Sequence, residues 1–229
     1  MSKDAPEFGS QDNEDAVLAA LFPSDDIQEE LGKRFYVDVG AHHPTNCSNT
    51  WQFYCRGWRG LLIEPLMDCW PDLLKQRPGD ILIPFAASNV NHEVKLRVQG
   101  SISTIEATWP VNSLRLDKID ALTLQYILSK VPIDSRSFEL CSIDVEWHEK
   151  QVLEGIDWNT FRPSVFCVEY LGYTEDNTGC DLSPQWEDIL FDNKYKYITK
   201  TSFNKIYLAS ELVKSFRGRI FQAQSAAKA

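Results

Sequence analysis

The sequence predicts an α/β fold: a mostly parallel sheet with helices on both faces and a C-terminal antiparallel hairpin. Three observations lead there. Five short apolar runs alternate with helix-like stretches between Phe35 and Val168, the order that builds a parallel sheet from crossover units. Those runs are apolar almost throughout, as strands covered on both faces must be. Beyond them, Tyr195–Thr201 and Lys205–Ala209 read as two strands turning at Phe203-Asn204.

In chain order, Glu14–Leu21 and Ser24–Leu31 read as two short helices, the second capped by Ser24. Phe35–Val39 is a strand ending at Gly40, and Asn46–Cys55 a helix with Asn46 or Ser48 as its cap. Gly60–Ile63 is the second strand, Met67–Gln76 a helix and Ile81–Ala87 the third strand. Val94–Val98 adds a strand ahead of a Ser/Thr loop at Gly100–Thr104, and Ile119–Leu128 reads as a helix. Phe138–Val145 is the fourth core strand, Glu149–Gly155 a helix closed by glycine, Ser164–Val168 the fifth strand, and Pro184–Phe191 a helix.

A chain of 229 residues, 43% of them hydrophobic, can bury one sizeable core. No apolar run approaches the roughly 20 residues needed to cross a bilayer, and the polar start lacks the design of a secretory signal. A cytoplasmic protein is expected. Of the net charge of −10, −8 falls in the first 30 residues, so the body is nearly neutral. No basic stripe exists to neutralise phosphates, which argues against nucleic acid as a partner. The six cysteines, at 47, 55, 69, 141, 167 and 180, contain no Cys-x-x-Cys pair. Reduced, structural thiols are the expectation, with Cys141 and Cys167 inside core strands.

Chemistry is concentrated between Phe35 and Pro65. In open α/β sheets ligands bind beyond the carboxyl ends of the strands. Gly40 lets the first strand turn tightly and approach a ligand. Glu64, at the tip of the second strand, is positioned to accept hydrogen bonds from both ribose hydroxyls of an adenosine. A dinucleotide would need a Gly-x-Gly-x-x-Gly turn for its pyrophosphate. Here Ala41-His42-His43-Pro44 follows Gly40. That disfavours an NAD-linked oxidoreductase and favours S-adenosylmethionine, which has no pyrophosphate.

The motif Phe35-Tyr36-Val37-Asp38-Val39-Gly40-Ala41, then Ser48-Asn49-Thr50, then Gly57-Trp58-Arg59-Gly60 leading into Ile63-Glu64-Pro65, resembles the FkbM family of methyltransferases. Ser142-Ile143-Asp144-Val145-Glu146 with Glu149 and Val152-Leu153 resembles its second block, and Arg162-Pro163 with Val168-Glu169 its third. The resemblance covers roughly Phe35 to Tyr170. With residues 1–33 read from their charge as an acidic leader, partly disordered with short helices, the resemblance implies a Rossmann-like class I methyltransferase fold over residues 34–229. It also implies S-adenosylmethionine as donor and O-methylation of a hydroxyl on a sugar, glycan or related small metabolite. His42 stands where the family commonly has Asn, and Trp147 where it has Gly. These departures leave room for a catalytically impaired module that binds the donor without turnover. No motif specifies the acceptor or the oligomeric state.

The expected donor contacts are Asp38, Gly40, Ala41, His42, Ser48, Glu64 and Pro65, with Ser48 raised by the resemblance from a helix cap to a contact. Asp144, Glu146 and His148 are the catalytic candidates, because a sugar hydroxyl must lose its proton during transfer. Strand alternation would put Asp144 and Glu146 on one side with Val145 opposite. Trp147 is the candidate aromatic platform for a sugar ring, and Trp109 is assigned to the core. Asp144, Glu146, Glu169 and His148 could gather around Mg²⁺ or Mn²⁺, but no local spacing demands a metal, so none is expected.

Overall fold

The computed structural model describes residues 9–23, 34–107, 115–131, 138–173 and 178–228. The expected second helix at Ser24–Leu31 and Trp109 lie outside them. The elements are α1 (Glu14–Leu21), β1 (Phe35–Val39), α2 (Trp51–Cys55), β2 (Arg59–Ile63), α3 (Trp70–Gln76), β3 (Ile81–Ile83), β4 (Ala86–Ser88), β5 (His92–Val98), β6 (Arg115–Thr123) and α4 (Leu124–Lys130). They continue with β7 (Phe138–Ile143), α5 (Glu149–Glu154), β8 (Val165–Glu169), β9 (Leu171–Tyr173), β10 (Gly179–Asp181), α6 (Glu187–Asp192), β11 (Tyr195–Lys200), β12 (Asn204–Ala209) and α7 (Arg217–Ala226).

A seven-stranded sheet in the order β11-β12-β8-β7-β1-β2-β3 forms the centre. β3, β2, β1, β7 and β8 run parallel, and β12 and β11 close the edge antiparallel. The five core strands and the terminal hairpin therefore form as the sequence predicts. Alternation divides the side chains between two apolar layers. Val37, Val39, Leu61, Ile63, Ile143 and Val168 pack on one face. Tyr36, Leu62, Leu140, Val165 and Cys167 pack on the other, with α1 and Phe53 of α2. Cys141 and Cys167 are buried as expected. Among the described residues, no helix is long and apolar enough to cross a membrane.

Several elements depart from the sequence reading for local reasons. The third strand splits at Pro84-Phe85, where proline has no N–H to give a ladder: β3 stays in the main sheet, and β4 joins a small sheet of order β4-β6-β5. The expected helix at Ile119–Leu128 is half strand. β6 pairs with β5 over seven residues, and Thr123 then caps α4 by accepting Tyr126 N–H at 3.2 Å. The helix expected from Asn46 starts only at Trp51, because Cys47 sits at φ +53°. Neither Asn46 nor Ser48 caps it. Met67–Cys69 form a 3-10 turn rather than the start of α3.

Helix α1 forms over the predicted residues, and part of the acidic leader proves to be core. Val17, Leu18 and Leu21 are fully buried, in the same layer as Ala223 of α7, a helix the sequence reading did not include. Buried Glu14 takes hydrogen bonds from Thr201 and Asn204 beside the hairpin turn.

Candidate active site

The strand ends create the site. Gly40 follows β1 at φ +85°, and its N–H and that of Ala41 donate to Ile63 O at 2.9 and 3.3 Å. A Cβ on Gly40 would lie 1.7 Å from Asp144 O, so only glycine permits this turn. β7 stops at Ile143, and Asp144–His148 form a loop in which Glu146 and Trp147 take φ +55° and +77°. His42, opposite, has φ +37°. Left-handed backbone at three non-glycine residues gathers around one opening, a pattern found at ligand sites. Strand alternation consequently does not govern Asp144 and Glu146. The loop carries both to the opening, and Val145 lines it too.

That opening is a cavity enclosing about 550 Å³, part of it open to solvent. Gly40, His42, Glu64, Pro65, Asp144, Glu146 and His148 line it, seven of the ten residues singled out from sequence. Ala41 lines an adjoining recess that shares Gly40, His42, Asp144 and Glu146 and adds Glu169, Tyr173 and Phe203. The remaining two face elsewhere. Asp38 and Ser48 belong to a buried network behind the Gly40 turn.

Arg77 holds that network together and escaped the sequence reading. It is 1% exposed and pairs with Asp80 at 2.8 Å and Asp38 at 3.7 Å. It also donates to Tyr36 OH at 2.6 Å, Thr50 Oγ1 at 2.9 Å and Ser48 Oγ at 3.3 Å. Thr50 in turn donates to Asp38, and Asp80 accepts Gly60 N–H at 2.9 Å. Burial pushes the Asp38 carboxyl up while Arg77 and Thr50 pull it down. No local motif marks Arg77.

Glu64 is held from both sides. Its Oε2 accepts His42 N–H and its Oε1 accepts Leu66 N–H, each at 2.7 Å. Burial pushes its carboxyl up to about 7, against those two bonds. His43 shapes the turn, accepting the N–H groups of Thr45 and Asn46 on Nδ1 at 3.2 and 2.9 Å.

The catalytic candidates separate. Oxygens of Asp144, Glu146 and Glu169 lie within 4.8 Å of one another. His148 does not join them. Its Nε2 is 3.0 Å from Ser88 Oγ, and its Nδ1 lies 3.7 Å from Glu106 Oε2. Burial holds its pKa below the usual histidine range. Glu149 is a further acid that the sequence left out of the site: it is 1% exposed and accepts Val145 N–H at 3.1 Å, fixing the loop. Thr104 Oγ1 donates to Glu146 O at 2.6 Å and ties the Gly100–Ile105 loop across the cavity. Trp147 lies against Gly172, its Nε1 2.5 Å from where a Cβ there would sit, and lines neither space. The expected sugar platform is thereby corrected to a packing residue.

A central parallel sheet with a glycine turn after its first strand and a buried acid after its second defines a nucleoside-binding α/β protein of the methyltransferase class. The methyltransferase FkbM domain matches residues 38–197, well over half of the chain, and the chain belongs to that family. Solved structures similar to it include precorrin-6y C5,15-methyltransferase from Geobacter metallireducens GS-15, at 10% identity over 85% of this chain and 86% of that one, TM-score 0.43. A SAM-dependent methyltransferase from Aquifex aeolicus is 10% identical over 86% and 94%, TM-score 0.41. Fibrillarin from Aeropyrum pernix, solved with S-adenosyl-L-methionine, is 13% identical over 85% and 76%, TM-score 0.41. No curated protein matches the chain.

Proposed function

We propose that this methyltransferase transfers the methyl group of S-adenosylmethionine to a hydroxyl of a sugar, glycan or related small metabolite. The observation that carries the reading is Glu64. It is a buried carboxylate at the end of β2, and each of its oxygens already accepts one N–H. A carboxylate oxygen has two acceptor sites, so each keeps room for one ribose hydroxyl.

S-adenosylmethionine supplies an electrophilic methyl when bound; the chain's own residues do the rest. The Gly40 turn and the Asp144 loop orient the donor, because alignment of acceptor oxygen, methyl and sulfur is the largest contribution a protein makes to such a displacement. Asp144 and Glu146 stand on the wall shared by the cavity and the recess. They receive the proton the hydroxyl gives up. His148 lies on the donor side with Ala87 and serves positioning.

The test is S-adenosylhomocysteine production with a panel of glycans and hydroxylated metabolites, alongside thermal melts with the donor. A melting temperature that rises with donor in the wild type and not in Glu64→Ala supports the reading. No shift at saturating donor would sink it.

A further inference from the structure

We propose that Asp144, Glu146 and Glu169 bind an oxygen-preferring divalent cation, Mg²⁺ or Mn²⁺, where the donor cavity meets the adjoining recess. The three carboxylates come from two elements, the loop after β7 and the end of β8. Each offers an oxygen within 4.8 Å of the others, the spacing that ligands of one hard cation adopt. The cluster is open toward Gly40 and His42 in the recess, so an ion there has an entry path and room for its waters.

A second observation is independent of that spacing. Glu169 is 7% exposed, and its Oε2 has no hydrogen-bond partner. A buried carboxylate oxygen without a hydrogen bond is costly, and the side chain that the carboxyl does hydrogen-bond is Asp144, another acid. The charges acting most strongly on the three acids are carboxylates as well. By contrast, the Asp38 and Asp80 carboxylates have Arg77 between them. A cation supplies to the Glu169 cluster what Arg77 supplies to that network.

Oxygen donors with no thiol or imidazole favour Mg²⁺ or Mn²⁺ over Zn²⁺ or Cu²⁺. The binding itself rests on no assumption about the acceptor or about turnover.

The experiment uses the full chain after EDTA treatment and dialysis, titrated with MnCl₂ while the free-ion EPR signal is followed. One equivalent of Mn²⁺ should leave the free signal in the wild type and be displaced by excess Mg²⁺. Glu169→Gln should weaken binding at least about tenfold. In EDTA the same variant should melt no lower than the wild type, because it removes one of three crowded like charges. Asp144→Asn gives the same comparison should Glu169→Gln not fold. Absence of Mn²⁺ binding by the folded wild type at about 1 mM, or binding that survives either substitution unchanged, overturns the proposal. Donor-induced melting shifts are read separately in EDTA, which keeps a failure here apart from a failure of the methyltransferase reading.

Discussion

Gly40 and the carbonyl oxygen of Asp144 meet so closely that a Cβ on the glycine would fall 1.7 Å from that oxygen. The contact joins the turn after β1 to the loop after β7, the two walls of the cavity. Beside it, Asp144 N–H donates to Val39 O at 2.9 Å, one rung beyond the β1–β7 pairing of Val39 with Ile143.

Gly40→Ala should therefore damage both fold and site. Left-handed backbone at a non-glycine residue costs about 1–3 kcal/mol, and forced displacement of a packed carbonyl about 1–3 kcal/mol more. A loss of roughly 2–6 kcal/mol in urea denaturation is expected. Donor binding by calorimetry should vanish even at temperatures where the variant remains folded. A variant with wild-type stability and affinity would contradict the geometry.

Glu64 predicts a pH dependence. Burial pushes its carboxyl up to about 7, and ribose hydroxyls donate best to the ionised form. Donor affinity should hold above pH 7.5 and fall as pH drops through 7, approaching tenfold per pH unit below it. Glu64→Gln should bind weakly with a flat profile over the same range. The stability sign is the reverse of the usual carboxylate. A folded pKa above the unfolded value means that Glu64's contribution is present at low pH and is lost as pH rises through 7. Calorimetric titrations of donor between pH 5.5 and 8.5, compared with melts of the ligand-free protein, separate the two effects.

Arg77 predicts a structural loss that reaches the site. Removing it leaves Asp38 and Asp80 buried without their shared partner. Breaking a buried pair in this way costs about 3–5 kcal/mol, the loss expected for Arg77→Met in denaturant unfolding. Arg77→Lys should recover little, since a lysine cannot reach Asp80, Tyr36 and Thr50 together as the guanidinium fork does. Equal stability of the lysine variant and wild type would remove Arg77 from its assigned place.

These residues also mark where sequence was legible. Gly40 and Glu64 could be read because strand-terminal positions in an α/β sheet carry fixed chemical roles. The fourth core strand was read as running to Val145, whereas it stops at Ile143 and Asp144–His148 form a loop. Period-two reasoning stops where the strand stops, and the positive φ angles at Glu146 and Trp147 redirect the side chains, turning Trp147 onto Gly172. Arg77 went unread for a related reason: alternation puts Asp38 on the face with Tyr36, toward Arg77, a partner 39 positions away. β6 was missed as strand because its partner β5 is supplied by tertiary pairing, which local propensity does not encode.

The N-terminal segment supplies the last test, because its composition suggested a solvated leader whereas its position is in the core. Leu18 is fully buried, within the layer that also contains Phe53, Leu140 and Ala223. Glu14, four residues earlier, holds the hairpin turn through Thr201 and Asn204. A solvated leader could be altered at no cost. A core helix could not: Leu18→Ala should destabilise by about 2–5 kcal/mol, the range for large-to-small changes in a packed interior. Glu14→Ala should cost less, about 1–3 kcal/mol, since it leaves the Thr201 hydroxyl and the Asn204 amide without their acceptor. Urea denaturation of both variants against Asp12→Asn, where the altered side chain is exposed, measures the difference. Wild-type midpoints for Leu18→Ala would return the segment to the surface.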